Sequence, residues 1–252
     1  MTRSGLVCPV FLVAATLAWA GPPFATDDPV PVDYQHWEVY FASHYDHAAA
    51  GATGTLPEIE INYGALPDLQ LHVIAPYAFD APAAGPREFG YGDTELGAKY
   101  RFIAEDGGRP QVAVFPLVEL PTGDTARGLG SGHTQIFLPV WLQKSVGAWT
   151  TYGGGGYWIN PGAGNRNWWF VGWLVQRQVS QHLAVAAEAF HETAQTEGGA
   201  SATKLNAGII CDLSDTLHLL ASAGPTLQGR SGYQAYFALQ LTLGPARGEN
   251  AK

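Results

Sequence analysis

Between Gly90 and Phe102 the chain reads GYGDTELGAKYRF, and the stretch sorts cleanly by parity. Asp93, Glu95, Gly97, Lys99 and Arg101 occupy one set of alternate positions; Thr94, Leu96, Ala98, Tyr100 and Phe102 occupy the other. Successive side chains of an extended chain point to opposite faces, so the pattern predicts a strand with one polar and one apolar face. The split recurs in PEIEINYG, with Ile59, Ile61 and Tyr63 opposed to Glu58, Glu60 and Asn62. KLNAGIICDL puts Lys204, Asn206 and Asp212 on one parity, and YQAYFALQLTL puts Phe237, Leu239, Leu241 and Leu243 on one side. About twelve such segments follow one another, near the roughly ten residues expected of a membrane-crossing strand. They cover 35–45, 57–65, 69–79, 93–103, 110–121, 134–145, 149–159, 168–179, 183–193, 203–213, 217–225 and 233–243. None sustains a helical period.

The connectors alternate in length. LPD, AEDGGR, VGA, SQ with His182, and SDT follow the even-numbered segments; HAAAGATG, DAPAAGPREFGYG, TGDTARGLGSGH, NPGAGNRN, AQTEGGASA and TLQGRSG are the longer intervening links. Greek-key crossings of a soluble sandwich give no reason for such sorting. A closed up-and-down barrel does, with tight turns on one rim and longer loops on the other. The reading is therefore all-β: a single closed antiparallel transmembrane β-barrel of about twelve strands.

That reading fixes which face is which. An ionised side chain on the lipid face costs about 2–4 kcal/mol near mid-membrane, so the charged parity must face the lumen. Glu38, Glu58, Glu60, Asp93, Glu95, Lys99, Arg101, Glu188 and Lys204 are the charged lumen-lining candidates, joined on the same parity by Glu119 and Asp212. Phe115, Phe137, Trp141, Trp168 and Phe170 share the inner parity, with Leu117 and Leu174, and give an apolar lining to part of the lumen. Aromatic residues also gather at strand ends: Trp37, Trp149, Tyr100 and Phe102 toward one rim, Tyr77, Phe79, Tyr157, Trp158, Trp168 and Trp169 toward the other. Amphipathic rings favour the headgroup region, so these predict two girdles.

Composition agrees. Charged residues make up 14% of the 252-residue chain, with 31 glycines and 8 tryptophans, against about a quarter charged in soluble domains. The formal charge of −9 argues against a nucleic-acid partner. Arg3, the apolar run LVCPVFLVAATLA and the small-x-small site Ala18-Trp19-Ala20 read as a signal peptide over residues 1–20. The run is shorter than the roughly 20 residues of a membrane-spanning helix. Residues 21–33, GPPFATDDPVPVD, are proline-rich and extended; they form an N-terminal segment that can fold into the lumen as a plug. Residues 34–244 make the barrel and 245–252 a tail. Beyond the signal the one cysteine is Cys211, read as a small apolar filler.

GYGDTELGAKYRF, together with Thr26-Asp27-Asp28 and Trp37-Glu38, resembles the bacterial meta-pathway of phenol degradation family. The family pattern is Gly-x-Gly-Asp, here Gly90 to Asp93, followed by an alternating strand ending in Lys-Tyr-Arg, here Lys99 to Arg101. The resemblance implies an outer-membrane barrel that passes aromatic or other small hydrophobic compounds.

Other chemistry finds little support. His36 and His44 lie eight positions apart on one strand, roughly 26 Å at about 3.3 Å per residue, so they cannot share an ion, and His44 with His47 would give a two-ligand site at most. No metal or cofactor is expected. Ser43 beside His44 and Ser131 near His133 are the pairs suggestive of hydrolysis, but GLGSGH does not match the nucleophile elbow, and no catalytic residue is expected. The reading is an outer-membrane channel for small solutes, working by passive or gated diffusion, with outer-membrane lipid and the solute as partners and the oligomeric state open. A closed barrel serving as scaffold or lipid-active enzyme, and a soluble periplasmic ligand-binding β-protein, are the alternatives.

Overall fold

The computed structural model describes residues 22–245; the signal peptide expected at 1–20 and the tail beyond Pro245 lie outside the described residues. Fourteen strands form one antiparallel sheet: β1 (Trp37–Ala48), β2 (Gly51–Leu66), β3 (Leu69–Pro82), β4 (Glu88–Tyr91), β5 (Thr94–Ile103), β6 (Gln111–Val114), β7 (Leu117–Leu120), β8 (Gln135–Val146), β9 (Trp149–Ile159), β10 (Trp168–Ser180), β11 (Leu183–Glu192), β12 (Ala202–Asp212), β13 (Leu217–Gln228) and β14 (Gly232–Leu243). Successive crossings pair in sequence order, and β1 pairs with β14 from Trp37↔Leu243 to Ala48↔Gly232. The sheet is closed, so no backbone edge is left for hydrocarbon to cover.

Twelve crossings result because two strands are not independent. β6 and β7 are halves of one crossing between β5 and β8. The predicted segment 110–121 is interrupted at Phe115-Pro116, where proline has no N–H for the ladder. β4 is a four-residue strand that pairs with the loop-end of β3 alone.

β10 shows the alternation most plainly. Trp168, Phe170, Gly172, Leu174 and Gln176 are buried inside while Trp169, Val171, Trp173 and Val175 are exposed on the outer wall. Trp173 satisfies its indole N–H on Thr151 Oγ1 at 2.8 Å. Tyr100, Phe102, Trp149, Phe237 and Leu243 are exposed on the same outer surface, and the Arg177 guanidinium lies 5.1 Å from the Trp149 ring centroid at the rim.

Two expectations about the connectors and girdles change. The links at 47–54 and 226–232 are not loops: β1 and β2 run on to a turn at 49–50, and β13 and β14 to one at 229–231. Their polar residues stay in the ladder because a strand projecting past the bilayer keeps its hydrogen bonds at no lipid cost. At the other long-loop positions, 83–93, 121–134, 160–167 and 193–201, the contrast with the short turns persists. Trp158 and Trp168 are not girdle residues but stack on each other inside, centroids 5.3 Å apart and planes 9° apart; Trp169 is exposed on the outer wall.

Candidate functional site

The lumen is divided by the N-terminal segment. Tyr34 bridges Gly64 at the short-turn rim, and the Gln35 N–H donates to the Gly64 carbonyl at 2.7 Å. From there the chain climbs inward. The Val32 N–H donates to Gln70 Oε1 at 3.0 Å. Lys99 Nζ lies 3.0 Å from Asp27 Oδ1 and 3.6 Å from Asp28 Oδ2. The N–H groups of Ala25 and Thr26 donate to the two oxygens of Glu188 at 3.0 and 2.8 Å, and Ser222 Oγ donates to the Pro23 carbonyl. Thr26 and Asp28 are completely buried. Burial pushes the Asp28 carboxyl up to about 8, against the opposing pull of Lys99.

The barrel wall is shaped for this segment. A Cβ on Gly172 would stand 2.1 Å from Thr26 Oγ1, and one on Gly208 would stand 2.7 Å from the Phe24 ring. Both glycines point inward, so the sequence leaves hollows where the segment needs to pass.

On the short-turn side of the segment the lumen is filled. Gln70, Gln111, Gln143, Gln176, Gln240 and His218 are buried there within a few residues of that rim. Arg101 sits there too, its Nε and Nη2 donating to Asp68 Oδ1 at 3.0 and 2.7 Å and its Nη1 to Gln111 at 3.3 Å.

On the long-loop side the lumen is open, forming a cavity of about 460 Å³ whose floor is Pro22 to Ala25 and Asp27. One wall is aromatic. Phe137 and Trp158 stack at 4.7 Å and 9°, Trp158 continues onto Trp168, and Phe170 meets Trp141 edge-on at 6.0 Å. Phe115, Leu117 and Phe190 complete this buried cluster. A run of four glycines in β9 makes room: a Cβ on Gly156 would stand 2.6 Å from the Phe137 ring, and one on Gly154 3.0 Å from Trp141.

The facing wall is acidic. His72 Nε2 lies 3.0 Å from Glu95 Oε1, and its Nδ1 lies 2.6 Å from Asn62 Oδ1 and 3.6 Å from Glu60 Oε1. Glu58 and, nearer the short-turn rim, Glu38 stand outside the cavity lining, accepting from Thr55 Oγ1 and the Tyr40 hydroxyl along their own strands. Lys204 lies 3.5 Å from Asp46 and 3.6 Å from Glu192.

Asp93 is not a free lumen charge. Its carboxylate accepts from the N–H groups of Gly123 and Ser131 at 2.8 and 2.6 Å, stapling the 121–134 loop. Parity does not single out the inner glutamines, His72 or Phe190, because neutral residues carry a weak signal, and the glycines of β9 break the count beside Trp158, expected at the rim. Neither serine singled out for hydrolysis meets an imidazole: Ser43 Oγ donates to the Thr55 carbonyl at 2.7 Å and Ser131 Oγ to the His133 carbonyl at 2.9 Å. Among the described residues no group of three or more His, Cys, Asp or Glu is placed to hold a metal.

A closed twelve-crossing barrel with an apolar exterior and a charged interior has the fold of an outer-membrane β-barrel protein. Solved structures of that class share it. An outer membrane channel from Pseudomonas putida F1 matches with a TM-score of 0.66 at 14% identity, covering 84% of this chain and 99% of that one. The KdgM porin in complex with disordered oligogalacturonate matches at 0.58 and 8%, covering 81% and 98%; the NanC porin matches at 0.56 and 8%, covering 81% and 100%. No curated protein sequence matches the chain. Residues 52–242 match the family described as "Putative MetA-pathway of phenol degradation", and the chain belongs to that family.

Proposed function

We propose that the protein is an outer-membrane channel that admits small solutes with aromatic or other hydrophobic parts from the long-loop side, with the N-terminal segment as its floor. The observation that carries this is the cavity itself: a half-lumen open on the long-loop side, walled on one side by stacked rings, and ending on a segment held across the lumen by hydrogen bonds and an ion pair. Long loops face outward and short turns face the periplasm in barrels of this kind, so the cavity opens to the exterior. The family's description and the channels and porins that share the fold support the same reading.

Single-channel recording in planar bilayers tests it. The intact protein is expected to conduct weakly or in brief events, and removal of residues 22–33 to raise the conductance of a barrel that still shows heat-modifiable migration in detergent gels. Silence from both proteins would overturn the channel.

A further inference from the structure

The cavity above the N-terminal segment is lopsided in charge. Asp27, Glu60, Glu95 and Glu192 line it with His44 and His72, and among the described residues lining it there is no lysine or arginine. The two nearby lysines stand behind that surface and are engaged: Lys99 with Asp27 and Asp28, Lys204 with Asp46 and Glu192. Setting those pairs aside leaves Glu60 and Glu95 flanking His72. Even an imidazolium there would answer only one of the two carboxylates.

The opposite wall supplies a complementary surface for the same kind of guest. The Phe137–Trp158–Trp168 stack gives it a broad aromatic surface against which the flat body of an aromatic guest packs. A neutral aromatic molecule would fit the rings but would cover Glu95 and the edge of Glu60 without giving either carboxyl group a donor. An aromatic carboxylate would meet like charge. A molecule with an apolar body and a protonated amine satisfies both walls, and about 460 Å³ lies in the range of small-molecule sites.

We infer that this cavity binds an aromatic ammonium compound, its ring against the Phe137–Trp158–Trp168 wall and its cationic nitrogen toward Glu60 and Glu95. The inference rests on the channel reading above, and narrows its solute from aromatic to aromatic and cationic.

Calorimetric titration of the intact protein in a non-ionic detergent, with 2-phenylethylammonium, 2-phenylethanol and phenylacetate as three probes of one shape, decides the matter. The ammonium is expected to bind about tenfold or more tightly than either of the others. Glu95→Gln and Glu60→Gln are each expected to erase most of that preference while leaving 2-phenylethanol unchanged. Equal binding of the three probes, or a preference for phenylacetate, would overturn the inference without reference to any variant. Preference surviving both substitutions would place the cation elsewhere and overturn it as well. Bilayer conductance of inorganic ions is read separately: a conducting barrel without ammonium preference sinks this inference alone, whereas selective binding without conductance sinks the channel.

Discussion

Glu188 and Thr26 meet across 162 residues of chain: the Thr26 N–H donates to Glu188 Oε2 at 2.8 Å, beside the Ala25 N–H on Oε1 at 3.0 Å. A single carboxylate thus receives two successive backbone donors, and Asn206 Nδ2 adds a third at 2.6 Å. Glu188→Gln replaces one acceptor oxygen by a donor and leaves an N–H without a partner. The expected cost to the seated segment is about 1–3 kcal/mol, read as faster hydrogen exchange at Ala25 and Thr26 with the barrel amides of β10 and β11 unaffected.

Lys99→Met removes the cation beside Asp27 and Asp28 but keeps the bulk of the stem against Phe115, whose ring centroid is 4.9 Å from Nζ. The half-buried Asp27 carboxylate is then left with no counter-charge beside the protonated Asp28. The segment is expected to leave its seat for much of the time and the open-channel current to rise. Asp27→Asn in the same molecule is expected to recover part of the closed behaviour; no change from Lys99→Met would show that the ion pair does not hold the floor.

Gly172→Val places a side chain where Thr26 Oγ1 now stands, 2.1 Å from the ideal Cβ. The variant is expected to destabilise the seated segment, and Thr26→Ala to restore it in part by clearing that atom. The rescue distinguishes displaced chain from a damaged wall, and exchange at the Glu188-bound amides measures it.

Asp28 gives the seat a pH dependence. Its carboxyl, pushed by burial from the ordinary 3.8 to about 8, keeps its proton when seated but loses it when released into water above about pH 4. Between those values the seated state binds more protons than the released one, so seating is strongest in acid. It weakens by up to about 1.4 kcal/mol per unit as pH rises, then levels off above about 8. Open-channel current should therefore climb across that window, and Asp28→Asn should flatten the climb; a current falling with pH would contradict the assignment.

Much of this architecture was legible from parity. β10 and β5 announce their two faces because every second residue is committed to lipid or to polar interior, and the penalty for a misplaced charge is large. The site was harder to see. β9 reads Thr-Thr-Tyr-Gly-Gly-Gly-Gly-Tyr-Trp, and four residues without side chains erase the alternation just where Trp158 turns inward. The contacts that matter most, Asp27 with Lys99 and Ala25 with Glu188, join positions far apart in sequence. Local pattern contains no information about such pairs; only closure of the sheet brings them together.

Closure also sets the order of assembly. Partners for residues 22–33 come from β3, β5, β11 and β13, around the full circumference, whereas the seam between β1 and β14 joins the first strand to the last. The leading stretch of the chain is synthesised before any of its contacts exist and finds its place only once the final hairpin has been added. Its set of partners is complete only when β13 is in place, so its docking is finished late in the closing of the wall.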